Sequence, residues 1–279
     1  MRIVLASLIL LLGAGSAVAQ QRPLLTEDPE TIGAGRVLVE GGVEFDHDAV
    51  YPVSGLRGDL FRVPIGGVSI GVSSIAEVQF DQISFSRLSI DSRRTAPLSD
   101  LVTATGSSTT DFDDVIVGTK IRIVGETTSR PAFGFRFATK LPNAGNESGL
   151  GLDTTDFFAT VLAGKTTQSV RIVGNVGLGI LGDPTNGNRQ NDVLLYGVSF
   201  ARAITNAAEI VGEVTGRANT RGAGPLPGTE SRSVVRMGLR YTYGGLRGDA
   251  ALLLGATNND PGVGFTAGFT YVFSAFQVP

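Results

Sequence analysis

The only histidine of the chain lies between two carboxylates. Asp46, His47 and Asp48 could form part of a metal site or an acid–base pair, because imidazole and carboxylate groups serve both purposes. Hydrolysis would also need a nucleophile, and no pattern in the sequence places a serine beside His47. A polar strand end that enters a loop explains the same three residues. We therefore predict no catalytic residue and no metal ligand.

A glycine motif is a second candidate site. Gly177, Gly179 and Gly182 have the spacing G-x-G-x-x-G of dinucleotide-binding loops. That motif needs a following helix, whose N-terminus holds the pyrophosphate. Residues 183–192 instead read DPTNGNRQND, a turn-rich stretch. We interpret the glycines as small residues on a strand and predict no cofactor.

Charged and apolar residues alternate along residues 231–243, SRSVVRMGLRYTY. Since successive side chains of a strand point to opposite faces, Arg232, Arg236 and Arg240 share one face. Leu239 lies on the other face, which is almost wholly apolar. Such a strand suits a boundary between water and an apolar medium. Its charged face could select and steer a solute that passes along it.

Twelve segments of the chain show the same two-residue period, and sustained helical periodicity is absent. The segments lie at 36–47, 58–67, 75–87, 113–125, 131–141, 154–166, 169–181, 192–204, 207–218, 231–243, 246–257 and 263–275. The third loses its phase near Gln82, which predicts a β-bulge. Connections after the fourth, sixth, eighth and tenth segments are short, and those after the first, third, fifth, seventh and ninth are longer.

Two folds would explain this alternation. A soluble β-sandwich would place the arginines on a solvated face. A transmembrane barrel agrees better with the strand lengths, the even strand number and the alternation of short and long connections. In a barrel, placing Arg236 against lipid near the midplane would cost about 2–4 kcal/mol, so the charged face must point inward. We predict an all-β fold, a single antiparallel transmembrane β-barrel of about 12 strands.

The N-terminal region predicts export. The run IVLASLILLL and the A-x-A site Ala17-Val18-Ala19 indicate a signal peptide at 1–19. Residues 20–35 are predicted to be an extended periplasmic segment that restricts the barrel mouth, and 36–279 the barrel. The predicted location is the cell outer membrane, with membrane lipid as a partner. A net charge of -3 gives no indication of a nucleic-acid partner.

The clearest segments predict which charged residues line the lumen and steer solutes. They are Arg232, Arg236, Arg240, Glu209, Glu213, Arg217, Lys120, Arg122, Arg136, Glu40 and Glu44. Directly paired residues of an antiparallel hairpin have numbers with a constant sum. One register of segments nine and ten would therefore pair Glu209 with Arg240, Glu213 with Arg236, and Arg217 with Arg232.

Two short stretches resemble a known family. Residues 23–36, PLLTEDPETIGAGR, and the following LVEGGVEF resemble the opening of the transporter family named for the meta-pathway of phenol degradation. Asp114, Gly118 and Lys120 are similar to that family's D-x-x-x-G-x-K strand. The resemblance covers nearly the whole mature chain. It implies an outer-membrane channel associated with uptake of aromatic or other hydrophobic compounds, and it does not supply a solute.

The C-terminal strand has a further resemblance. Gly268, Tyr271 and Phe273 are similar to the signal by which the barrel-assembly machinery recognises outer-membrane barrels, although six residues, SAFQVP, follow Phe273. The sequence thus predicts a non-enzymatic channel or transporter for a small solute. Two alternatives remain open: a structural or adhesive barrel without an open pore, and a phospholipase-like barrel hydrolase.

Overall fold

The computed structural model describes residues 22–277, so the predicted signal peptide lies outside the described residues. The strands are β1 (Arg36–Tyr51), β2 (Leu56–Gly71), β3 (Ala76–Arg93), β4 (Ser108–Phe112), β5 (Ile116–Val124), β6 (Ala132–Lys140), β7 (Asp156–Thr167), β8 (Val170–Gly182), β9 (Gln190–Ala203), β10 (Ala208–Asn219), β11 (Arg232–Tyr243), β12 (Leu246–Gly255) and β13 (Val263–Ser274). Two short 3-10 helices lie at Ser99–Leu101 and Asn146–Ser148. No helix among residues 22–277 is long and apolar enough to cross a membrane.

Twelve of these strands form a closed antiparallel barrel, which confirms the predicted fold. Each barrel strand pairs with its neighbour in the chain, with β3 pairing directly with β5. The first and last strands then pair over the whole length of β13, with Arg36 opposite Ser274 and His47 opposite Val263. β4 pairs with residues 85–89 of β3 in the same register in which β5 pairs with residues 76–81, so it continues the line of β5 toward the far half of β3 after a break at residues 113–115. Closure leaves no strand edge of the ring unpaired.

The two faces of the wall are sorted as the alternation predicts. Leu239 and Tyr241 point outward and are 59% and 60% exposed, whereas Arg236 and Arg240 point inward and are 7% exposed. The outer surface is therefore apolar along the strands. An apolar band around a closed barrel with a polar interior is the arrangement expected of a membrane-spanning barrel.

The pairing of β10 with β11 has the register that the charged residues predict. Glu209 lies opposite Arg240, Glu213 opposite Arg236, and Arg217 opposite Arg232. The bulge predicted near Gln82 is also present, because Asp81 and Gln82 of β3 together face only Gly67 of β2. Gln82 has a positive φ of 59°, an uncommon conformation for a residue with a side chain.

The two ends of the barrel differ in their connections. One end, which we call the turn end, carries the connections 72–75, 125–131, 168–169, 204–207 and 244–245, together with the start of β1 and the end of β13. The opposite end, the loop end, carries the longer connections, including the 22 residues between β3 and β5 with β4 among them. The first connection departs from the predicted pattern of long joins. β1 and β2 extend so far beyond the predicted segments that only residues 52–55 join them.

The inner face of β1 to β3 at the loop end is apolar, unlike the rest of the predicted lumen lining. Ala49, Leu56, Leu60 and Leu88 form a buried cluster there. Leu150, from the connection between β6 and β7, packs against the cluster. The loop-end half of the interior is therefore partly filled by side chains of the wall and of the connections.

Candidate functional site

The structure places all of the predicted lining residues on the inner wall, and most of them take part in ion pairs. Glu213 and Arg236 lie 3.1 Å apart, and Glu209 lies 3.9 Å from Arg240. Glu44 lies 2.6 Å from Arg62. Glu40 accepts a hydrogen bond of 3.2 Å from the Thr270 hydroxyl. The remaining lining residues are Lys120, Arg122, Arg136, Arg217 and Arg232, whose contacts are described below.

Residues 22–35, which we call the N-terminal segment, cross the lumen. Thr26 binds Glu213 of β10, and the backbone N–H of Ile32 donates to Glu77 of β3 at 2.7 Å. These two strands lie on opposite sides of the ring. The segment then turns into β1 at Gly35, where φ is +69° and an added Cβ would lie 2.0 Å from the Phe276 carbonyl oxygen. The position therefore needs glycine.

The Glu213 carboxylate is the main attachment of the middle of the segment. Its Oε1 accepts a hydrogen bond from the Leu25 N–H at 2.8 Å, and its Oε2 accepts from the Thr26 N–H at 2.8 Å and the Thr26 hydroxyl at 2.6 Å. Arg236 balances the charge from the wall. A buried carboxylate that is paired and accepts several hydrogen bonds fixes its neighbours strongly.

A second attachment surrounds Lys120 of β5. Its ammonium group is fully buried and lies 3.2 Å from Glu27 of the segment and 3.1 Å from Glu77 of the wall. Arg136 lies 3.4 Å from Glu27 and also binds Asp81 of β3 at 2.6 Å. One carboxylate of the segment is thus shared between two cations of the wall.

Charge complementarity extends along the whole segment. Asp28 forms a two-pronged pair with Arg171, at 2.7 and 2.8 Å, and Glu30 lies 2.5 Å from Arg122. At the other end, Arg22 lies 3.4 Å from Asp249 of β12. The acidic middle of the segment therefore faces the basic wall of β5 to β8, and its basic start faces an acidic residue.

Within the described part of the lumen, one cavity lies beside the segment and another lies nearer the loop end. The central cavity, of about 210 Å³, is bounded by Arg22, Leu24 and Leu25 of the segment. The loop-end cavity, of about 320 Å³, lies beneath the connections. Gln82 and Ile116 line both, so the bulge of β3 lies where the two cavities adjoin.

Several lumen residues were missed by sequence reasoning. Glu77, Gln79 and Asp81 lie on β3, where the bulge interrupts the alternation, and Asp249 lies on β12, whose two faces are both apolar over much of its length. Asn175 of β8, which exchanges two hydrogen bonds with the Glu27 backbone, is an isolated polar residue among apolar ones. For β3, reading the pattern separately on either side of Gln82 would have found the acidic face.

The remaining chemical candidates are separate from this region. His47 Nδ1 lies 2.7 Å from Asp59 on the exposed outer side, and Asp48 pairs with Arg57. Among residues 22–277 no serine is hydrogen-bonded to His47, and no group of acidic or histidine residues could hold a metal ion. The glycine motif lies within the last part of β8.

Neutralising Glu213 should loosen the segment. In Glu213→Gln the Leu25 and Thr26 hydrogen bonds lose their charged acceptor, and Arg236 loses its partner. We expect the local opening free energy at these two amides to fall by about 2 kcal/mol, since hydrogen bonds to charged groups contribute that much. Their hydrogen exchange should then be about thirtyfold faster. Unchanged exchange in the folded variant would contradict the role assigned to Glu213.

The turn end also contains an acid-sensitive contact. Glu126 accepts hydrogen bonds from the Thr166 N–H at 2.7 Å and from Lys165 at 3.0 Å, and it pairs with Arg171 at 2.5 Å. Desolvation raises the pKa of Glu126, but these contacts together hold it below its ordinary value.

Because this pKa is lower in the folded protein, the contact stabilises it above the ordinary pKa of glutamate, and the contribution disappears as the pH falls through the folded pKa. The unfolding free energy in detergent micelles should therefore fall between about pH 5 and pH 2 more steeply for the wild type than for Glu126→Gln. Parallel pH profiles of the two proteins would contradict this expectation.

Taken together, the fold and the charged interior define a closed twelve-stranded barrel of the outer-membrane type. No protein-family model matches the chain, and no curated protein sequence matches it. Among solved structures, it is similar to the COG4313 outer membrane channel from Pseudomonas putida F1, with a TM-score of 0.60 and 11% identity over 88% of this chain and 98% of that one. It is also similar to the NanC porin, with a TM-score of 0.50 and 11% identity over 84% and 98%. At such identities the similarity concerns the fold.

Proposed function

We propose that the chain is an outer-membrane channel for a small solute, whose turn-end half is closed by the N-terminal segment. In this proposal residues 1–19 are removed on export, and the turn end faces the periplasm. The barrel lies in the membrane with its apolar outer face against lipid. Gly268, Tyr271 and Phe273 present the assembly signal to the barrel-assembly machinery.

The observation that carries the proposal is the way in which the segment is held. Most of the contacts described above are hydrogen bonds and ion pairs to charged side chains of the wall, such as Glu213, Lys120 and Arg171. The same charged groups can be hydrated when the segment leaves, so displacement costs far less than unfolding a packed core. A wall that holds a polar segment is also suited to the passage of polar solutes.

The solute class is the finer part of the proposal. The resemblance to the phenol-degradation transporter family favours aromatic or hydrophobic compounds, and the apolar cluster at the loop end is compatible with them. Selection would be steric and electrostatic, through the charged lining residues. The proposal involves no covalent chemistry.

A second function, a structural barrel without a solute path, is favoured by the depth at which the segment is buried. Uptake into proteoliposomes distinguishes the two. The mature chain and a variant lacking residues 22–31 are reconstituted, and entry of phenol, benzoate, glucose and chloride is compared with that into empty liposomes. We expect the variant to pass at least one of these compounds well above background. Background uptake of all four by both proteins would favour the structural barrel.

A further inference from the structure

The loop-end cavity combines an apolar wall with two unpaired cations. Its roof is formed by the connections at residues 52–54, 149–152 and 228–230, and its floor by Gln82 and Ile116. The charged side chains that line it are Lys140, Asp156, Arg217, Glu230 and Arg232. Its volume of about 320 Å³ is enough for a molecule with a single ring.

Two of these five charged groups neutralise each other. Lys140 lies 3.0 Å from Asp156 and 2.9 Å from Asp114. Asp156 also accepts a hydrogen bond of 2.9 Å from the Gly182 N–H. One oxygen of Glu230 accepts the Gly228 N–H at 3.1 Å, and the other is buried without a hydrogen-bond partner in the described part of the protein.

Arg217 and Arg232 differ from Lys140 because, among the described residues, they are not paired with a carboxylate. They lie directly opposite each other on β10 and β11, where like charges destabilise a strand pair. Their protein hydrogen bonds go to backbone carbonyls: Arg217 donates to Glu230 and Gly228, and Arg232 donates to Val50. Within residues 22–277 neither guanidinium has a carboxylate within 4.0 Å. In each, Nη1 has no protein acceptor and is not buried.

The rest of the cavity wall suits an apolar ring. Phe158 and Ile116 point into it from β7 and β5, Tyr51 from the end of β1, and Leu150 and Leu152 from the roof. An anion held between the two guanidinium groups would relieve their repulsion and would leave the body of the ligand against these side chains. The free Nη1 groups of the two arginines are the donors left for a carboxylate, and hydrogen bonds between charged groups are among the strongest in proteins.

We propose that the loop-end cavity is a binding site for a small aromatic carboxylate, with Arg217 and Arg232 holding the carboxylate and Phe158 and Tyr51 contacting the ring. This rests on the proposed channel function for its physiological meaning, since it names the solute class that the channel would take up. Binding itself does not require passage, and the two can be tested separately.

Titration calorimetry of the folded mature protein in detergent micelles tests the site. The probes are benzoate, benzyl alcohol and acetate, at neutral pH. We expect benzoate to bind at least about tenfold more tightly than either of the others, because only benzoate carries both the charge and the ring. Equal binding of benzyl alcohol, equal binding of acetate, or no binding of benzoate would each overturn the proposal, and none of these results depends on a variant.

Variants then assign the residues. Arg217→Gln and Arg232→Gln should each weaken benzoate binding about tenfold or more, while Arg221→Gln, on the exposed connection between β10 and β11, should leave it unchanged. Full affinity in either lumen variant, with the barrel folded as judged by circular dichroism, would overturn the assignment. Benzoate binding, together with background uptake of every compound into proteoliposomes that contain the variant lacking residues 22–31, would support the site and contradict the channel. Uptake of neutral solutes without benzoate binding would support the channel and contradict the binding site.

Discussion

Deletion of residues 22–31 should convert the protein from a closed state into a stably conducting one. These residues fill the turn-end half of the lumen and are held by contacts to β3, β5, β8, β10 and β12. The deletion keeps Ile32 and Gly35, because they hold the junction between the segment and β1 in place. Planar bilayer recordings should show a steady single-channel conductance for the deletion variant, whereas the wild type should stay closed or open only briefly.

The matched control for this deletion is Leu25→Ala. The Leu25 side chain is exposed, while its backbone N–H carries the contact with Glu213. The substitution should therefore leave the segment in place and the conductance at the wild-type level. If the deletion variant folds but conducts no better than the wild type, the segment is not what closes the lumen.

The strands and their pairing could be predicted because the wall of a barrel separates two media. On β10 and β11 the charged residues mark the inner face, and their spacing selects a single register. On β12 the pattern does not identify the inner face, because both faces carry apolar residues: Ala250 and Leu252 point outward, while Ala251 and Leu253 point inward. Only the neighbouring strands decide which of these faces meets the lumen.

The position of the N-terminal segment could be predicted only in part. Its polar composition indicates a lack of regular structure, but Thr26 and Glu213 are 187 residues apart in the chain. No local pattern relates them. Complementarity between the acidic residues at 27–30 and the inward cations is visible in the sequence once the inner face is known. It does not specify which cation meets which carboxylate.

The two lumen cavities depend on connections that have no periodic pattern. Arg217 and Arg232 were predicted to line the interior, and their direct opposition follows from the predicted register. That Leu150 and Leu152 cover them cannot be predicted from the sequence, because loops lack the alternation that orients strand residues. The apolar cluster around Leu60 and Leu88 was missed for a related reason, as the expectation of a wet interior favoured polar residues there.

Replacement of Lys120 by methionine should open the channel by removing one shared cation. Lys120 is fully buried between Glu27 of the segment and Glu77 of the wall. Loss of one partner from a buried ionic group typically costs about 3–5 kcal/mol, because the remaining charge is left uncompensated. Here the Glu27 carboxylate can escape that cost if the segment leaves the lumen. The open population should then rise by about a hundredfold or more.

Single-channel open probability measures this effect, and Lys165→Met is the control. Lys165 contacts Glu126 and the carbonyls of Thr127 and Thr128 at the turn end, not the segment. The Lys165→Met variant should therefore keep the wild-type open probability. In the chain lacking residues 22–31, Lys120→Met should add nothing, because the carboxylate that it destabilises is absent. A further rise in open probability in the chain lacking residues 22–31 would mean that Lys120 acts on the wall itself. If full-length Lys120→Met stays closed, the Glu213 attachment alone is enough to hold the segment.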